Sequence, residues 1–155
     1  MDYAELNRIY QPLEQKLNIL QQMLHDLPYR IRTGWFSGHY YRNDQGEWER
    51  SSFPIPEVDL IDLCDIEIHF DKLCVTTKLS RNDALSFPYE ILSGYSYETY
   101  GVEDYLLDFP QENRISAIRQ SREKEIGFTF FMDFDSDSRE IIDLIVLLIR
   151  EYFYY

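Results

Sequence analysis

The stretch whose period decides the fold is Cys64-Asp65-Ile66-Glu67-Ile68-His69-Phe70-Asp71-Lys72-Leu73-Cys74-Val75-Thr76-Thr77-Lys78-Leu79. Cys64, Ile66, Ile68 and Phe70 alternate with Asp65, Glu67, His69 and Asp71, and Leu73, Val75, Thr77 and Leu79 alternate with Cys74, Thr76 and Lys78. A period of two predicts two strands, each with one face in the core. A two-residue loop at Asp71-Lys72 pairs Phe70 with Leu73 and His69 with Cys74, and sets Cys64 opposite Leu79. The two cysteines then point to opposite faces and cannot bridge within the hairpin.

Upstream of this hairpin, Pro54 and Pro56 end whatever precedes them, and Glu57 to Leu63 reads as a connection or short helix. Tyr29 to Phe53 is rich in β-formers, with Asn43-Asp44-Gln45-Gly46 as the turn of a hairpin that sets Trp35 to Tyr41 against Trp48. In that strand Trp35, His39 and Tyr41 share one side and Phe36 and Tyr40 the other, with Phe36 assigned to the core. Further back, Tyr3, Leu6, Tyr10, Leu13, Leu17, Leu20, Leu24 and Leu27 recur in steps of three and four, the period of a helix that stops before Pro28. Pro12 either bends that helix or opens it afresh. Ile9, Ile19 and Met23 widen the stripe beyond a coiled-coil seam, which favours packing on the chain's own sheet; a homodimer through residues 3–27 is the alternative.

Downstream, Ser80-Arg81-Asn82-Asp83 has the chemistry of a helix start, and Pro88 stops that helix. Tyr95, Tyr97 and Thr99 alternate before Gly101 as a strand, and Val102 to Phe109 reads as a helical turn closed by Pro110. Gln111 to Lys124 suits an amphipathic helix, Glu125 to Phe134 a buried strand, and Glu140 to Phe153 a helix capped by Ser136 to Ser138. The order lacks a βα repeat. It predicts an α+β single domain with a mainly antiparallel sheet, a long N-terminal helix and a buried C-terminal helix over residues 1–155.

Composition agrees with one folded soluble domain: the chain has 155 residues, 45% hydrophobic and 16% aromatic. With 28 Asp and Glu against 15 Lys and Arg, its formal charge of −13 speaks against nucleic acid as a direct partner. Met1 to Tyr10 carries Asp2, Glu5 and Arg8 and does not read as a secretory signal, and the most apolar run, Ile141 to Ile149, is too short to span a membrane. Two cysteines outside any CxxC fit a cytoplasmic setting.

No residue pattern announces catalysis or a cofactor. Ser37-Gly38-His39 is no GxSxG elbow, Gly34 and Gly38 form no phosphate loop, and His25, His39 and His69 lack the spacing of a metal set. Asp133, Asp135 and Asp137 could gather a divalent cation, with a small-molecule or hydrolytic domain as the reading that follows. An EF-hand loop starting at Asp133 needs Gly and Glu where this chain has Ser138 and Leu144. The first motif of haloacid-dehalogenase-type phosphatases matches Asp133 and Asp135, but its downstream partners have no room in the residues after Asp137. The bland reading is charge and capping at a helix N-terminus.

Charge is regional. Residues 54–113 hold 13 acids and 3 bases, whereas residues 28–53 hold 3 acids and 4 bases and residues 114–127 hold 2 acids and 4 bases. Such a field speeds encounter with a basic partner. The sequence therefore predicts a non-enzymatic protein-binding module, steered by acids that include Asp59, Asp62, Glu103 and Asp104 and anchored by Trp35, His39, Tyr41 and Trp48. In size and acidity it is similar to the immunity proteins of bacterial toxin systems, which suggests an inhibitor of a basic enzyme.

Overall fold

The computed structural model describes residues 3–38, 40–42, 45–50, 52–104 and 106–152. In chain order the elements are α1 (Tyr3–His25), β1 (Ile31–Phe36), β2 (Tyr40–Arg42), β3 (Trp48–Arg50), β4 (Ile55–Leu60), β5 (Cys64–Ile68), β6 (Lys72–Ser80), α2 (Arg81–Ser86), β7 (Ser96–Gly101), β8 (Asp108–Phe109), α3 (Arg114–Gln120), β9 (Glu125–Asp133) and α4 (Ser138–Glu151). Seven strands form one sheet in the order β1-β4-β5-β6-β9-β7-β8, every pair antiparallel, while β2 and β3 pair only with each other. The fold is α+β, with the expected long N-terminal helix and a C-terminal helix whose apolar side is buried.

One face of the sheet carries the core. Val58, Leu60, Ile66, Ile68, Leu73, Val75, Ile126, Phe128 and Phe130 are buried there beneath Leu13, Leu17, Leu20 and Leu24 of α1 and Ile141, Ile142, Ile145 and Leu148 of α4. The leucine stripe that a dimer seam would use is thus spent on the chain's own core, and α1 runs through Pro12 as one helix. α2 starts as its sequence predicts: the Ser80 hydroxyl accepts from Asp83 N at 3.1 Å.

Four expectations fail. The strand expected from Trp35 to Tyr41 is split: β1 ends at Phe36 and pairs with β4, Trp35 opposite Pro56, while only β2 pairs with β3, so Trp35 does not face Trp48. Residues 55–60 are a strand inside the sheet, flanked by β1 and β5, because Pro56 sits at the strand's start, opposite Trp35 and beyond the end of the β5 ladder, where no second neighbour needs its N–H. Val58 and Leu60, alternating with Glu57 and Asp59, carry the strand period. In the central hairpin the loop is Phe70-Asp71, closed by His69 N donating to Lys72 O at 2.9 Å, so Glu67 and not His69 faces Cys74. Lys72 instead joins the ladder to β9, opposite Asp133. A pairing slid by two residues leaves every side chain on its predicted face: Cys64 lies in the core and Cys74 on the other face, as the alternation required. Finally, Phe109 is not in a helical turn; β8 pairs with β7 through Thr99–Phe109, and the Thr99 hydroxyl donates to Phe109 O at 2.9 Å.

Candidate binding face

The sheet's second face is polar, and its register assembles a row that crosses six strands. Arg32 stands opposite Asp59, Asp59 opposite Asp65, Asp65 opposite Thr76, Thr76 opposite Thr129, and Thr129 opposite Glu98. In the next row Glu57 faces Glu67. Two acids of β4 thus stand directly opposite two acids of β5, an uncommon cross-strand arrangement. Arg32 Nη2 donates to Asp59 Oδ2 at 2.8 Å, Thr76 and Thr129 share a hydroxyl bond of 3.1 Å, and Tyr100 Oη meets Thr129 Oγ1 at 3.3 Å.

Burial first, then a hydrogen bond to Asp59, then the charges of Glu57, Asp59 and Glu67 push the Asp65 carboxyl up to about 8. Burial, with Asp65 and Asp59 adding to it, pushes the Cys64 thiol up to about 12, and burial raises Cys74 as well. Neither sulfur has the thiolate character of a nucleophile. Where β4 turns into β5, a groove of about 560 Å³ is lined by Asp59, Asp62, Asp65, Glu125 and Lys78. Asp62 holds the turn with φ at 66°, in the left-handed region that aspartate tolerates better than most residues.

The residues expected to bind a partner do not converge. Trp35 is on the helix side of the β1 edge, 40% exposed, with its ring edge-on to Tyr10 at 5.6 Å; Tyr10 also meets Phe70 at 5.7 Å. Phe36 is not core: on the edge strand β1 it folds across Gly34 on the polar side and is 45% exposed. Trp48 packs on Tyr100 at 5.8 Å and donates from Nε1 to Asp108 Oδ1 at 3.2 Å, so it anchors the β2–β3 hairpin to the opposite end of the sheet. His39 and the Tyr41 side chain lie outside the described residues; the Tyr41 backbone faces Glu49.

Asp59 is in the carboxylate row and Asp62 at its groove, but Glu103 and Asp104 are in the loop after β7. There Glu103 N donates to Glu123 Oε2 and Asp104 Oδ1 accepts from Leu106 N, each at 3.1 Å. With β1 and β8 at the two edges, six strand spacings or roughly 29 Å part Trp35 from that loop. Glu57, Asp65 and Glu67 complete the face and were missed as site residues. Asp65 and Glu67 stood out in the hairpin's alternation, but reading residues 57–63 as a connection hid the strand that opposes them.

The acidic string before α4 is answered from within. Lys16 Nζ of α1 donates to Ser136 O at 3.0 Å and lies 5.5 Å from the centre of the Phe134 ring. Burial lowers the Lys16 pKa, while Asp135 and Asp137 raise it. Asp137 is the α4 N-cap, its Oδ1 accepting from Arg139 N at 3.1 Å. Among the described residues no three His, Cys, Asp or Glu side chains come together as a metal site. The proposed His69–Cys74 pair is also absent: His69 Nε2 lies 3.2 Å from Glu67 Oε1. Among these residues, no helix is long and apolar enough to cross a membrane.

No protein-family model matches the chain, and no curated protein matches it. A solved structure of a conserved hypothetical protein from Pyrococcus furiosus is similar in fold, with a TM-score of 0.74 and 20% sequence identity over 95% of this chain and 93% of that one. At that identity the likeness concerns the fold alone.

Proposed function

We propose that this chain is a non-enzymatic protein-binding module that takes a basic partner on the polar face of its sheet. The observation that carries this reading is the opposition of carboxylate to carboxylate at Glu57–Glu67 and Asp59–Asp65. Acids opposed across neighbouring strands break a local rule of sheet pairing, and such breaks tend to fall where a function needs them. Lysine or arginine side chains of a partner would find acceptors in these acids. The acid excess of residues 54–113 would speed their arrival. Inhibition of a basic enzyme, as by an immunity-type protein, is one form such binding takes.

The test begins with affinity capture and identification of the partner, and then mixes the two purified proteins by stopped flow. Association should slow as salt rises and slow further in the Glu57→Gln/Glu67→Gln variant. A rate indifferent to both overturns the reading. The groove at the β4–β5 turn favours a second reading, a small cationic ligand held among Asp59, Asp62 and Glu125. Under it, spermidine raises the melting temperature of the wild type but not of Asp62→Asn/Glu125→Gln.

A further inference from the structure

We propose that β1 is an interface between two copies of this chain: their β1 edges pair antiparallel about a two-fold axis at Thr33 and join the two sheets. This goes beyond partner binding on the polar face and does not depend on it.

Main-chain phase comes first. Ile61 N donates to Arg30 O at 3.0 Å, next to the Ile31–Leu60 pair. Along an antiparallel pair, residues that bond to the neighbour alternate with residues that do not, so Arg32, Gly34 and Phe36 turn their N–H and C=O toward β4. Ile31, Thr33 and Trp35 turn theirs outward. Pro56, which has no N–H to give, stands opposite Trp35, as that phase requires. Among the described residues no strand takes up the outward groups.

The two edges of the sheet differ. β8 is two residues long, and so short an edge offers little template for another strand. β1 presents six residues in unbroken register, without proline, lysine or bulge. Its one charge, Arg32, is held by Asp59 of β4 at 2.8 Å. An edge left that open invites pairing.

The strand is complementary to itself. An axis at Thr33 opposes Ile31 to Trp35 twice and Thr33 to its own copy, so every outward N–H and C=O of these residues finds a partner. On the helix side Trp35, 40% exposed beside Tyr10, would close on the partner copy's Ile31. On the polar side Arg32 would oppose the partner copy's Gly34, over which a Phe36 ring lies, and a guanidinium against an aromatic face is favourable. Charge selects the same place. Two chains of −13 repel each other, and residues 28–36 carry Arg30 and Arg32 with no acid, so the copies meet there with least repulsion between carboxylates.

Sedimentation of the intact protein across a dilution series should show a reversible dimer. Thr33→Pro should be monomeric and still folded, because the N–H it removes points away from β4 and proline is tolerated on such an edge. A wild type that stays monomeric at every concentration overturns the proposal, as does a dimer that survives Thr33→Pro. Amide hydrogen exchange on the wild type decides without any variant having to fold: the Ile31, Thr33 and Trp35 amides should exchange slowly in the concentrated protein and fast on dilution. Fast exchange in a dimer places the seam elsewhere, and slow exchange in the monomer means that the chain covers its own edge; either result defeats the assignment.

Discussion

Gly127 and Tyr100 are cross-strand partners in β9 and β7, and the Tyr100 ring lies where a side chain at 127 would be. A β-carbon on Gly127 would stand 2.7 Å from Tyr100 Cδ2 and closer still to two other atoms of that ring. An aromatic laid over a strand glycine restores packing that the glycine lacks. Here it also places the Tyr100 hydroxyl against Thr129 and gives Trp48 its docking surface. Gly127→Ala should therefore do more than add a methyl group: it should push the ring away at a cost of roughly 1–3 kcal/mol. In a Trp35→Phe background, where Trp48 is the remaining tryptophan, the emission should shift to the red as the indole loses its cover. Unchanged stability and emission would mean that Tyr100 is not the hairpin's seat. The sequence offers no sign of this pair, because a glycine and a tyrosine far apart in the chain become neighbours only through the register of two strands.

Elements were legible wherever one period ran unbroken. The alternation of residues 64–79 defined two strands and their buried sides, and steps of three and four defined α1. β4 is obscured in the sequence because Pro54 and Pro56 read as stops, although a proline at the start of a strand leaves the ladder beyond it intact. Loop position in the hairpin was obscured for a different reason: periodicity fixes a face, whereas register depends on the turn and on the next strand over, here β9. For α1 the period separates two faces that can be tested against each other. Leu20 is fully buried beneath the sheet while the adjacent Ile19 is 44% exposed. Urea denaturation should find Leu20→Ala destabilised by about 2–5 kcal/mol and Ile19→Ala changed by less than about 0.5 kcal/mol. If Ile19→Ala loses as much as Leu20→Ala, the outer side of the helix is also covered, and self-association through α1 becomes the better account.

At the scale of the whole molecule, the acid excess read from composition pointed to a class of partner but not to a face. The fold gathers part of it into adjoining rows on β4 and β5 and sends Glu103 and Asp104 to the far edge, a division invisible without the strand order β1-β4-β5-β6-β9-β7-β8. Net charge itself has a consequence independent of any partner. With 28 acids and 15 bases, the compact state holds its charges closer than the unfolded chain does, so repulsion opposes folding, while ion pairs such as Arg32–Asp59 favour it. Salt weakens both, but an exposed pair contributes little, so the net repulsion should dominate the response. Between low and high salt the screening length shrinks from about 30 Å to about 3 Å, which removes most of the long-range repulsion. The melting temperature at neutral pH should rise with sodium chloride, and a gain of about 1 kcal/mol would appear as roughly 2–4 °C for a chain of this size. The rise should be smaller in Glu57→Gln/Glu67→Gln, which carries two fewer acids. A melting temperature that falls with salt would mean that attractive pairs dominate the surface and that the acid excess does not oppose folding.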